Sequence, residues 1–122
     1  MSFQIMGEFE SFFLCHCSRC RKDSGSAHSA NLFSSQAEVK WLSGQERVKT
    51  FTLAGSEHSK SFCAECGSAL PIFQEKNNLL VVPAGSLESQ VKIRPNAHIC
   101  FSSRADWDNQ LADLVKLDGV PS

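Results

Sequence analysis

The sequence predicts a mainly antiparallel β domain. Three observations carry this: short apolar or alternating segments of strand length, residues able to take positive φ in the breaks between them, and helical periodicity confined to two brief stretches. Nine segments read as strands, at 2–6, 9–15, 30–34, 38–42, 47–53, 58–63, 69–74, 79–84 and 97–102. Ser43-Gly44, Ala54-Gly55, Asn77-Asn78 and Ala84-Gly85 stand between them, where tight connections need left-handed backbone. Ser18 to Ser24 predicts a helical turn or two ending near Gly25. Trp107, Leu111, Leu114 and Val115 recur at helical spacing ahead of Gly119 and Pro121, which predicts a short C-terminal helix whose apolar stripe is packing surface.

The chain has 122 residues, 42% of them hydrophobic, with 12 Lys+Arg against 13 Asp+Glu, and no repeat, low-complexity run or linker divides it. One domain over 1–122 is expected. A domain of this size buries roughly two-thirds of the surface its unfolded chain exposes, so a metal staple would matter. A net charge of −1 and a pI near 6.4 give no footprint for a phosphate backbone, so no nucleic-acid partner is expected. The longest apolar runs, such as Leu79-Leu80-Val81-Val82, fall far short of a membrane span, and MSFQIMGEFE lacks the regions of a secretory signal. A cytoplasmic protein with no membrane partner is expected. In a reducing compartment, six cysteines point to metal binding or thiol chemistry rather than to disulfides.

Five of the six fall into two clusters, Cys15-His16-Cys17-Ser18-Arg19-Cys20 and Phe62-Cys63-Ala64-Glu65-Cys66-Gly67. Cysteines three apart on a tight turn can aim both sulfurs at one zinc, and Gly67 supplies open backbone geometry as the chain leaves the turn. The ligands divide in either of two ways. Cys17, Cys20, Cys63 and Cys66 could form one closed four-thiolate site, leaving Cys15 spare. Alternatively, Cys15, Cys17 and Cys20 hold a zinc with an open fourth position, and Cys63 and Cys66 belong to a second site short of ligands. Three thiolates on Zn²⁺ leave an excess negative charge, a poor setting for splitting water and a good one for holding a nucleophilic thiolate. Arg19, Arg21 and Lys22 could offset that charge or receive a carboxylate-bearing thiol, or simply be solvated. His16 is a candidate proton carrier, with an outward-pointing ring as the alternative.

Taken in order, C-H-C-S-R-C-R-K-D-S-G, S-F-C-A-E-C-G-S-A-L, A-G-S-L-E and H-I-C-F-S-S-R-A-D-W make the chain resemble, from about Ser2 to Trp107, the glutathione-dependent formaldehyde-activating family, whose domain is shared with centromere protein V. The resemblance implies a β-tent of small antiparallel sheets pinned by zinc, a fold type also seen in methionine sulfoxide reductase B. It implies that Cys15, Cys17 and Cys20 carry the catalytic zinc and that Cys63 and Cys66 supply half of a structural zinc site. The family's other half, a G-x-C-x-C-G segment, would stand just ahead of Ser2-Phe3-Gln4-Ile5 and is missing here, so the second site is expected to be incomplete. The chain is then a shortened version of a longer product, a one-zinc protein, or one that borrows ligands from Cys15 and its neighbours or from another subunit. Lys60 stands where the family often has an arginine, keeping the charge but not the bidentate geometry.

The resemblance further implies a carbon-sulfur lyase or synthase that adds glutathione sulfur to formaldehyde, forming S-hydroxymethylglutathione, with Zn²⁺ as cofactor and a small thiol and an aldehyde as partners. Two other functions compete with it: a non-catalytic zinc-stapled β module that binds a protein partner, and a thiol redox enzyme using Cys100. Otherwise Cys100 is expected as a small buried side chain on a late strand. His58 and His98 are expected to be structural or solvent-facing rather than ligands.

Overall fold

The strands form where the apolar segments and their turn residues place them. In the computed structural model, which describes residues 1–121, the elements in order are β1 (Ser2–Met6), β2 (Ser11–Cys15), α1 (Ser18–Ser24), β3 (Ser29–Ser34), β4 (Glu38–Ser43), β5 (Val48–Thr52), β6 (Ser59–Cys63), β7 (Ala69–Leu70), β8 (Ile72–Gln74), β9 (Leu79–Pro83) and β10 (Ala97–Ile99). The segment expected at 69–74 is divided at Pro71. Proline has no N–H to give a ladder. Here it marks the point where the chain leaves one sheet for another.

Three small sheets result, with strand orders β1-β4, β10-β2-β3-β9-β8 and β5-β6-β7. This is the mainly β arrangement of small sheets expected of a β-tent, with one exception to its antiparallel pairing. β10 runs parallel to β2, with His98 opposite Leu14 and Ile99 opposite Cys15. Asn96 sets that register: its amide donates to the Phe12 carbonyl at 2.7 Å, and its side-chain oxygen accepts from the Phe12 amide at 2.8 Å.

Phe12, Leu32, Leu80 and Val82 form the buried core, with Leu32 paired to Phe12 on one side and to Val82 on the other. Burying side chains of this kind contributes about 1.5–3 kcal/mol each. Ile5, Val39, Leu87, Val91 and Ile93 pack against the cluster, so the two-stranded sheet covers the five-stranded one. Ser34 is buried but satisfied, since its hydroxyl donates to the Glu8 carbonyl at 2.7 Å and accepts from the Ala37 amide at 2.9 Å.

The C-terminal helix expected over 107–115 is reduced to one 3-10 turn, Leu111–Asp113. Gln110 takes left-handed backbone and breaks the helical run. Trp107 is 57% exposed and Val115 81%, so the stripe is not packing surface. A helix this short needs an apolar face to pack on, and none among the described residues receives it. The only α-helix among the described residues is instead α1. No helix among them is long and apolar enough to cross a membrane.

Candidate metal centre

β2 delivers Cys15 at its last position, and the chain then turns sharply into α1 with Cys17 as the N-cap. Cys17 Sγ accepts a hydrogen bond from the Cys20 amide at 3.4 Å, so the first helical turn folds Cys20 back over Cys17. Gly25 ends the helix in left-handed backbone (φ 64), where its amide donates to the Arg21 carbonyl at 2.8 Å. These local constraints bring the sulfurs of Cys15, Cys17 and Cys20 within 4.8 Å of one another.

All three side chains are half-buried, and burial pushes the Cys15 and Cys20 thiols up from the ordinary range. Burial also opposes ionisation of Cys17, but hydrogen bonds from the Cys20 amide and from the neighbouring thiols outweigh it and draw Cys17 down. Three soft donors within ligand distance suit a thiophilic cation such as Zn²⁺, which would displace the thiol protons on binding. No fourth Cys, His, Asp or Glu among the described residues joins the cluster. None of the six cysteines is in a disulfide.

Cys63 and Cys66 lie elsewhere, at the end of β6 and in the turn after it, with Cys63 buried and Cys66 exposed. They do not come within ligand distance of Cys17 and Cys20, so the closed four-thiolate arrangement is not formed. Nor does a third metal-binding side chain among the described residues join the pair. Gly67 takes the open geometry its turn needs, at φ 78, and its amide donates to the Cys63 carbonyl at 2.8 Å. The Ser68 hydroxyl, 3.1 Å from Cys66 Sγ, draws that thiol down.

Arg19 and Lys22 are exposed on α1, and Arg21 is half-buried with its Nε buried and unpartnered. None of the three forms an ion pair among the described residues. Asp23 anchors the helix: its carboxylate lies 2.7 Å from Lys60 Nζ and 3.2 Å from His58 Nε2.

Strand register separates two sets of side chains at this end of the sheet. Cys15, Ile99 and Ser29 share one face, and Leu14, His98 and Ala30 the other, because paired residues project together and neighbours alternate. His16 continues the second set. It is fully buried, with Nε2 2.8 Å from His98 Nδ1 and Nδ1 3.1 Å from Asp108 Oδ2, the latter contact not aligned as a hydrogen bond. Its ring centroid lies 5.0 Å from those of His28, His98 and Phe101. Burial, then the nearby His28, hold His16 below the usual histidine range against the pull of Asp108.

Sequence reasoning did not single out His28 or Asp108. Neither sits in a spaced motif: His28 reaches His16 from the residue just ahead of β3, and Asp108 from the segment that follows β10. Cys100 corrects an expectation: it is exposed, lies just past β10 in left-handed backbone (φ 53) and caps a 3-10 turn over Phe101–Ser103. A residue that leaves the strand there has no sheet face to be buried on.

The profile of the family described as glutathione-dependent formaldehyde-activating enzyme matches residues 1–103. A Halomonas elongata protein named "Putative glutathione-dependent formaldehyde-activating enzyme" is 30% identical over 105 residues, covering 79% of this chain. This chain spans 65% of the length of that relative. The crystal structure of a Rhodobacter sphaeroides protein from structural genomics is similar with a TM-score of 0.51 and 21% identity, over 79% of this chain and 91% of that one. At that identity the likeness is one of fold.

Proposed function

The chain belongs to the glutathione-dependent formaldehyde-activating family, and from that premise we propose that it is a zinc-dependent carbon-sulfur lyase or synthase joining a glutathione-like thiol to formaldehyde. The observation that carries this reading is the convergence of three free sulfurs with no fourth protein donor among the described residues. Zn²⁺ held there would supply a seat in which an incoming thiol stays deprotonated and nucleophilic near neutral pH.

In this reading Cys15, Cys17 and Cys20 are the metal ligands, and Cys63 and Cys66 are a separate, incomplete pair. Arg19, Arg21 and Lys22, on the helix that carries Cys20, form no ion pair among the described residues and are available to the carboxylates of a glutathione-like thiol. The net addition forms one carbon-sulfur bond and moves the thiol proton to the carbonyl oxygen, which becomes a hydroxyl. Reversal breaks that bond and returns the aldehyde. Holding the two reactants together would add a proximity advantage. Residues 1–122 act as one domain in this proposal, and six free thiols suit a reducing compartment such as the cytoplasm. A closed four-thiolate site would instead favour a protein-binding module.

The test is the exchange rate between formaldehyde, glutathione and S-hydroxymethylglutathione, followed by NMR with zinc-loaded protein against the spontaneous rate. Acceleration that is lost in Cys20→Ser supports the proposal. A wild-type rate equal to the spontaneous one overturns it.

A further inference from the structure

His16 stands between Cys15 and Cys17, and of the three it alone is completely buried and not a ligand candidate. Taking an imidazole out of water is costly unless its nitrogens find partners. Here Nε2 shares a hydrogen bond with His98 Nδ1 at 2.8 Å, while Nδ1 has only an electrostatic contact, 3.1 Å from Asp108 Oδ2 and not aligned as a hydrogen bond. The His16 amide donates to the Ile99 carbonyl at 3.0 Å, so the residue is held at its backbone and at Nε2, with the Asp108 carboxylate facing Nδ1. Phe101 closes on the ring edge-on. Turning the ring would break the hydrogen bond to His98 and carry Nδ1 away from the Asp108 carboxylate, and shifting the backbone would break the bond to Ile99.

A residue fixed in this way fixes the two that flank it. Anchoring the backbone between Cys15 and Cys17 limits how their side chains can be presented, so less conformational freedom remains to be lost when a cation binds. Among the described residues, the histidines do not converge with another donor to make a metal site of their own. Asp108 lies beyond the residues matched by the family profile, so this brace draws on a part of the chain outside that match.

We propose that His16 is a positioning residue for the three-sulfur cluster, braced by His98 and Asp108, and that the C-terminal segment thereby tunes how tightly the cluster holds its metal. This rests on the reading of Cys15, Cys17 and Cys20 as a metal centre. Partners beyond the direct ligands typically change metal affinity by about 10–100-fold.

The experiment measures Zn²⁺ affinity of the full chain by competition with a chromophoric chelator, with the absorption of bound Co²⁺ as a reporter of ligand geometry. Asp108→Ala and His98→Ala should each weaken Zn²⁺ by about 10-fold and alter the Co²⁺ bands. Asp108→Asn, whose amide oxygen can still face Nδ1, should restore most of the affinity. In a His16→Phe background, Asp108→Ala should change affinity by less than about 2-fold, because the brace then has nothing to act on.

Asp108→Ala and His98→Ala proteins that keep wild-type affinity and Co²⁺ spectra overturn the inference, even if their metal-free melting temperatures fall. A full Asp108→Ala effect in the His16→Phe background overturns it equally. Should His16→Phe fail to fold, the single variants and the asparagine rescue decide the question. Wild-type protein that binds no Zn²⁺ sinks both the metal centre and the brace. Protein that binds Zn²⁺ with the brace-dependent affinity expected above but does not accelerate thiol-aldehyde exchange sinks only the proposed reaction.

Discussion

Lys60 of β6 holds Asp23 of α1 twice, with Nζ 2.7 Å from the carboxylate and 2.8 Å from the backbone carbonyl of the same residue. One ammonium therefore ties the side chain and the main chain of the helix that carries Cys20 to the sheet that carries Cys63. Both side chains are about three-quarters buried, so the pair is less screened than a surface ion pair.

Replacing this link should loosen the helix. Lys60→Met is expected to lower unfolding free energy by about 1.5–3 kcal/mol, the range for hydrogen bonds to a charged group, with His58 remaining as a partner of the Asp23 carboxylate. Lys60→Arg should keep most of the stability, because the charge remains within reach of Asp23. Urea denaturation of the two variants beside wild type measures this, and equal midpoints for Met and wild type would remove the link from the account.

Cys17→Ser or Cys20→Ser should abolish metal at the first cluster, since two thiolates remain where three converged. Elemental analysis of protein purified in zinc-containing medium reads this directly. A variant that keeps both its metal and its activity would show that the cluster is wrongly assigned.

Chelation should destabilise the protein by mass action, because the three sulfurs are gathered in the folded chain. Free Zn²⁺ at about 100 times its dissociation constant should add about 2.7 kcal/mol of stability over the metal-free form. Thermal scans with zinc and with chelator give the difference, and coincident curves would argue against a site that depends on folding.

The tail gives the opposite expectation. Leu114 is 61% exposed and Val115 81%. Leu114→Gln and Val115→Gln should each change stability by no more than about 0.5 kcal/mol, as exposed positions do. Losses of several kcal/mol on denaturant titration would mean that the stripe packs as its spacing suggests.

Local chain geometry made much of this molecule legible before folding was considered. α1 and its Gly25 cap follow from a short run of residues. So do the left-handed turns at Gly44 and Gly55, though Gly85 sits in a 3-10 turn without positive φ. So does the nearness of Cys15, Cys17 and Cys20, while the exclusion of Cys63 and Cys66 from them depends on where the sheets lie. Pairing across long stretches of chain was not legible. The parallel seat of β10, the bond between His16 and His98 across 82 residues, and the arrival of Asp108 at His16 depend on which strands lie side by side. The tail shows the same limit from the other side: helical spacing marks an apolar stripe at Trp107, Leu111, Leu114 and Val115, but a stripe becomes a helix only against a surface, and whether one stands opposite is a property of the assembled sheets.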